Sequence, residues 1–309
     1  MMWQLHSAKS AAISFLPSSV ERRLRKVKRK IMPQPLHISE VSACGGGLEQ
    51  VFLLRQAGLD IRGRDLLEVG TGWAPVIPLI LRLAGARHIY LTDAYELLDL
   101  RGLNASIAFL RERIGNLALR LKLTEAEVEQ KLSVPPTEDL RSALSSLGMS
   151  YHVPFDYYNT VIKVDAIFSH SVLEHVPLPV IKNLLEGARQ ILRPGGMISH
   201  QIDNSDHREH GDSRLCRVDF LRYPDRVWSY FCLHPQDFTN RLRHSDYTRM
   251  IEEAGFVIAY ERSFIDEKSR AAISHIPLAS RFRGYKLDDL ATIHSNIIAV
   301  LPSSLKVRR

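Results

Sequence analysis

The amino-acid sequence predicts an α/β fold: an open, doubly wound sheet of largely parallel strands with helices on both faces. Three observations carry this. Short, nearly uninterrupted apolar runs recur at DLLEVG (65 to 70), HIYLTD (88 to 93), VDAIFSH (164 to 170) and MISHQID (197 to 203). Stretches with helical period lie between them. The first run passes directly into a glycine turn. Strands buried on both faces and separated by helices are the pattern of βαβ units.

Taken in order, LEQVFLLRQAG reads as a helix closed by Gly58, followed by the first strand. A helix around 75 to 84 stops at Gly85, the strand 88 to 93 follows, and a long helix is expected over about 95 to 114. Residues 115 to 149 carry a capping box, Thr124 to Glu127, and the breaker Pro135-Pro136, so they read as an insertion of two helices. After the strand 164 to 170 come a helix from Pro179 to Leu192, the RPGG turn at 193 to 196 and the strand 197 to 203. Residues 204 to 235 are rich in arginine and aromatics without period. A long loop beyond the carboxyl end of a strand is where open α/β sheets bind ligands, so this is the expected substrate-facing loop. Near the C-terminus, Ser245 as N-cap and Gly255 bound one helix, and strand patterns follow at 256 to 261 and 292 to 300.

The 309 residues carry a formal charge of +7, which at first suggests a nucleic-acid partner. The excess is local. Residues 21 to 30, ERRLRKVKRK, and the terminal KVRR hold it, and the remainder carries about −2. This excludes a duplex-reading face and defines a basic N-terminal arm, 1 to 40, ahead of a nearly neutral domain, 41 to 309. Leu24, Val27 and Ile31 would give a helix at 21 to 31 one apolar stripe and a basic face, which suits peripheral contact with an anionic membrane; a solvated tail and a Ser-rich transit peptide stay open as readings. The longest uncharged apolar run, Trp73 to Leu81, is too short to span a bilayer, and a cytoplasmic location is expected. Cys44, Cys216 and Cys232 have no paired spacing, so neither a disulfide framework nor a metal site is expected.

LLEVGTGWAP (66 to 75) carries the chemistry. Gly70 and Gly72 allow a tight turn and close approach of a ligand, with Thr71 and Trp73 in the same turn, and the helix start supplies free N–H groups. Pro75 and the acid Glu68 disfavour a pyrophosphate and with it the rival reading of an NAD-dependent or nucleotide-sugar oxidoreductase. Asp93 ends the second strand, where a carboxylate can accept hydrogen bonds from both ribose hydroxyls of an adenosine.

LLEVGTGW, the LTD strand end, DAIFSHSVLEHV and LRPGGMISHQID, in this order and spacing, resemble the class I S-adenosylmethionine-dependent methyltransferases over roughly residues 45 to 300. The resemblance implies a Rossmann-like seven-strand sheet whose last strand, TIHSNIIAV, is antiparallel, and S-adenosyl-L-methionine as cofactor. It implies that Glu68, Gly70, Thr71, Gly72 and Trp73 meet the cofactor, with Asp93 on the ribose. Ser169 and His170 would lie beside its methionine part and the incoming nucleophile, and Asp156 in YHVPFDYY is the expected adenine contact. The run SHQIDNSDH, with FLRYP and NRLRHSDY, is similar to methyltransferases of bacterial cell-surface polysaccharide biosynthesis, which implies a sugar or polysaccharide precursor as acceptor. The third reading, a non-catalytic membrane-surface module with a degenerate cofactor fold, is set by the arm alone.

A methyl group leaves a sulfonium by in-line displacement, so positioning dominates and a base is required only for a hydroxyl or a protonated amine. The candidate bases are His170, His175, His200, Asp203 and His207. Alternation puts His200 inside the fifth strand, His175 suits a structural role, and Asp203 and His207 have better access at the strand end. Five arginines between Arg208 and Arg226 could grip an anion, but six acids between Asp203 and Asp225 offset them.

Overall fold

The computed structural model describes residues 38–212, 214–232 and 238–303. The basic arm at 21 to 31 and the terminal KVRR lie outside the described residues. A single helical turn, Glu40–Gly45, leads into α1 (Gly46–Gln56). Then follow β1 (Asp65–Val69), α2 (Val76–Leu83), β2 (His88–Thr92), α3 (Leu100–Arg111), α4 (Ile114–Leu121), α5 (Glu125–Lys131), α6 (Leu140–Ser146) and β3 (Met149–His152). The second half runs β4 (Val164–His170), α7 (Leu178–Ile191), β5 (Leu192–Asp203), α8 (Asp225–Phe231), α9 (His244–Glu253), β6 (Val257–Ile265), α10 (Glu267–Ile273), α11 (Leu287–Ala291) and β7 (Thr292–Val300). The seven strands form one sheet in the order β3-β2-β1-β4-β5-β7-β6. β7 alone runs against its neighbours, pairing antiparallel with both β5 and β6. This is the Rossmann-like sheet expected from the sequence.

Strand order reverses between β1 and β4, which opens a crevice at their carboxyl ends. Alternate residues of each strand go to opposite cores. Leu66, Phe168 and Ile298 join α1 to α6 on one side, while Leu67, Ile167 and Ile202 join α7 and α9 on the other. All five residues of β1 are buried, each apolar one worth about 1.5–3 kcal/mol against exposure.

Four local readings change. The insertion holds three helices, α4 to α6, because Asp139 caps a third one by accepting from the Ser142 N–H. The helix expected from 95 starts at Leu100, where the Asp99 carboxylate caps it. Ser245 lies inside α9 rather than before it, and the Asp246 carboxylate accepts from the Arg243 N–H at the helix start. The aperiodic stretch after β5 is not open loop: Val218, Phe220, Leu221 and Trp228 form a third small core with Ile273, Phe282 and Leu290.

Opposite the crevice, the amino ends of the strands are tied by charge. Arg193 donates to Asp165 at 2.8 Å and to Asp65 at 3.0 Å, Arg87 donates to Asp65 at 2.7 Å, and the Asp65 N–H donates to Asp165 at 2.9 Å. Arg87, with burial opposing and Arg193 adding, holds the Asp65 carboxyl below the ordinary carboxylate range. A depressed carboxyl stabilises the fold above its unfolded value, and that contribution is lost as pH falls through the folded one. Arg193→Met should therefore cost about 1–3 kcal/mol at neutral pH, limited because Arg87 and Arg64 remain beside the two carboxylates. In urea melts the deficit should shrink in acid; a deficit independent of pH would contradict this account.

Candidate active site

Glu68, the glycine turn, Asp93, Ser169, His170 and Asp203 all stand at the carboxyl ends of β1, β2, β4 and β5. The turn is fixed by β2. The N–H groups of Gly70 and Thr71 donate to the Thr92 carbonyl at 2.9 and 3.0 Å, and the Gly72 N–H donates to Asp93 Oδ2 at 2.8 Å. Gly70 has φ +78°, and a Cβ there would stand 2.6 Å from Val172, so the turn also packs on the segment after β4. Gly72 has φ +67° with open space where a Cβ would be. A ligand can approach the backbone there.

Glu68 is buried and its Oε2 has no hydrogen-bond partner among the described residues. Burial pushes its carboxyl up to about 8, with Thr71 opposing and the charge of Asp93 adding. Asp93 Oδ1 accepts from the Tyr95 N–H at 3.2 Å. The loop behind it is held by Tyr151 of β3, whose hydroxyl accepts from the Leu97 N–H at 3.0 Å and donates to the Tyr95 carbonyl at 3.2 Å. An orphaned acid at the mouth of the crevice, an open glycine and a carboxylate at the second strand's end together fit a cationic adenosine ligand.

Sequence reasoning missed Gly102. A Cβ there would stand 2.0 Å from the Trp73 carbonyl oxygen, so α3 presses directly on the glycine turn.

On the acceptor side, a cavity of about 480 Å³ is lined by Ser42, Glu49, His170, Asp203, His294 and Asn296, among others. Gln201 donates through Nε2 to the Gly46 carbonyl at 3.0 Å and to Gln50 Oε1 at 2.9 Å. Its Oε1 therefore faces His170 Nδ1, 3.3 Å away. That assigns the ring proton to Nδ1 and leaves His170 Nε2 as an acceptor, 3.1 Å from Ser42 Oγ. Burial lowers the ring's basicity, so it is neutral.

The remaining candidates separate. His200 is fully enclosed, its Nδ1 2.8 Å from Ser169 Oγ, and burial drives its pKa down to about 4. A ring sealed into the core has no path to an acceptor, so the proton-transfer role considered for His200 does not suit it, and the Ser169 hydroxyl is spent on it. Asp156 is exposed and accepts from the Tyr158 N–H at 2.9 Å, the arrangement of a turn acid. Burial alone would raise the Asp203 carboxyl, but the His207 ring 3.3 Å away and Ser205 hold it well below the ordinary range. His175 Nδ1 lies 2.8 Å from the Phe238 carbonyl. Beyond β5, Arg208, Arg214 and Arg222 are paired with Asp206, Asp212 and Asp219, which offsets the charge of three of the five arginines there.

Fold and crevice are those of a doubly wound α/β protein with its candidate site at the strand-order reversal. A sequence-family profile described as a methyltransferase domain matches residues 48–261. The chain belongs to that family and is an S-adenosylmethionine-dependent methyltransferase. No curated protein matches it in sequence. Among solved structures, it is similar to an S-adenosylmethionine-dependent methyltransferase from Mesorhizobium loti, at 14% identity and a TM-score of 0.45, over 83% of this chain and 99% of that one. It is also similar to Haemonchus contortus phosphoethanolamine N-methyltransferase 2, in complex with phosphomonomethylethanolamine and S-adenosylhomocysteine. There the identity is 13% and the TM-score 0.43, over 84% of this chain and 54% of that one. Family membership rests on the profile match.

Two predictions follow from the geometry of the turn. Between the ordinary value of 4.5 and about 8, the unfolded chain releases the Glu68 proton while the folded, ligand-free protein keeps it, so this residue makes stability fall as pH rises. Glu68→Gln should therefore gain melting temperature over wild type from about pH 5 to about pH 9; parallel curves would refute the assignment. Gly102→Ala should cost about 1–3 kcal/mol by overpacking and weaken cofactor binding, read by chemical denaturation and calorimetry.

Proposed function

We propose that the protein moves the methyl group of S-adenosylmethionine to a hydroxyl of a sugar or polysaccharide precursor. The observation that carries the donor half is the hydrogen bond from the Gly72 N–H to Asp93, which locks the glycine turn in register with the end of β2. When bound, the cofactor supplies an electrophilic methyl group on a sulfonium. Glu68 would meet the cationic part of the ligand, and because burial keeps its carboxyl protonated, binding there would be accompanied by proton release. Gly70, Thr71, Gly72 and Trp73 would cradle the ligand, and Asp93 would take the ribose hydroxyls. Asp156 and Ser169 are retained only as flanking positions, since the hydroxyl and carboxylate of these residues already have local partners.

The acceptor half rests on the polar cavity and on the likeness of the 199 to 207 run to polysaccharide-modifying methyltransferases. A wall of hydroxyl, carboxylate, imidazole and amide groups suits a polyhydroxylated molecule. His170 Nε2 is the proton acceptor on that wall: a hydroxyl taking the place of Ser42 Oγ would donate to it as the oxygen attacks. Asp203, ionised and anchored by Ser205, would hold a second hydroxyl, with His207 behind it.

Calorimetry with S-adenosylhomocysteine should show binding to the wild-type protein, lost in Asp93→Ala and in Gly70→Val, whose side chain would collide with Val172. Equal affinity in all three proteins would sink the reading. Peripheral membrane contact through 21 to 31 and a saccharide partner remain proposals of the same kind, and sedimentation with anionic vesicles at low salt tests the first.

A further inference from the structure

We propose that Glu174, His175 and His207 form a binding site for a divalent first-row transition metal, next to Asp203 of the polar cavity. One ligand atom from each residue can be chosen so that all lie within 4.8 Å of one another. Donors on one tetrahedral ion at about 2.1 Å lie about 3.4 Å apart, so the site closes with side-chain shifts on the order of 1 Å.

Three independent features point to a cation. Glu174 is 3% exposed, and its carboxylate oxygens have no well-aligned hydrogen bond among the described residues, only the backbone N–H groups of Glu174 and Asp203 beside them. A carboxylate placed this way costs several kcal/mol unless a positive charge faces it. No arginine or lysine among the described residues is paired with it. Next, His175 has its Nδ1 against the Phe238 carbonyl, which places the proton on Nδ1 and frees Nε2 as a ligand. A backbone carbonyl on the far nitrogen is the support that metal-bound histidines usually have. Finally, the His207 ring lies 5.0 Å from that of His175, and Asp203 Oδ2 stands 3.3 Å from its Nε2 as orienting partner.

Two imidazoles with one carboxylate select zinc, iron or manganese over magnesium and calcium. The ion would join the turn after β4, which carries Glu174 and His175, to the turn after β5, which carries His207. The segment at 238 to 240 docks on the same turn, through the Asn240 N–H on the Glu174 carbonyl at 2.8 Å and Asn240 Nδ2 on the Leu173 carbonyl at 2.7 Å. The metal would thus brace three segments next to Asp203. This role is separate from the cofactor reading. It also departs from the sequence, whose cysteine spacing gave no reason to expect a metal.

Zn2+ titrated by calorimetry into the chelator-treated full-length protein should bind one equivalent, with Mg2+ failing to compete. Glu174→Gln and His207→Ala should each weaken Zn2+ by at least about tenfold, and Asp203→Asn by about tenfold. The exposed control His275→Ala should bind as wild type does. If Glu174→Gln does not fold, the visible absorption of the Co2+ form of His207→Ala, a variant on a half-exposed turn, supplies the test: loss of the wild-type bands supports the site. Absence of a bound equivalent, equal binding by Mg2+, or wild-type affinity in both ligand variants would overturn it. S-Adenosylhomocysteine binding to Glu174→Gln should stay at the wild-type level, so failure here leaves the methyl-donor reading intact.

Discussion

The reversal of strand order between β1 and β4 is the constraint on which the rest of the molecule depends. Helices that lead outward from this point diverge to opposite faces, so the carboxyl ends of the two strands are left uncovered. The candidate site residues are arranged about that opening. Glu68 and the glycine turn extend β1, Asp93 extends β2, Ser169 and His170 end β4, and Asp203 ends β5. The opposite edge is closed by the Arg193, Asp65 and Asp165 network, which aligns the strands that deliver the site. Val172 packs closely on Gly70, so the β4 exit sits against the β1 turn, beyond the ladder that joins the two strands.

The acceptor side is built differently. It depends on polar groups that orient one another. Gln50 fixes Gln201, Gln201 fixes the tautomer of His170, and Asp203 lies beside His207. Behind them, Arg243 is fully buried and donates to the carbonyls of Asn204 at 2.9 Å and Leu290 at 3.1 Å. It thereby connects the end of β5 to the approach to β7. Burial brings its pKa down to about 10, still well above neutrality, so a charged guanidinium sits in the interior satisfied by backbone oxygens.

Much of this was legible in the sequence because it is local. Apolar runs, the glycine turn and an acid at the next strand end are written within a few residues of one another, and the sheet placed them together as their spacing implied. Features that depend on distant segments were not legible. β3 has four residues of which only Met149 is buried, so it carries no strand signal. Glu174 and His207 are separated by a helix and a strand, and no spacing rule joins them. Gly102 reads as a helix defect until the Trp73 carbonyl is seen against it. Asp156 and His200 stand the other way: residue type suggested chemistry, while a turn and a buried strand hold them in local hydrogen bonds.

Hydrogen exchange on the intact protein, with and without S-adenosylhomocysteine, tests the central claim most directly. The account predicts added protection of the amides in the glycine turn at 70 to 73 and in the Tyr95 to Leu98 loop beside Asp93, with the Arg193 edge of the sheet unchanged. Protection confined to other segments, or none at saturating ligand, would contradict it.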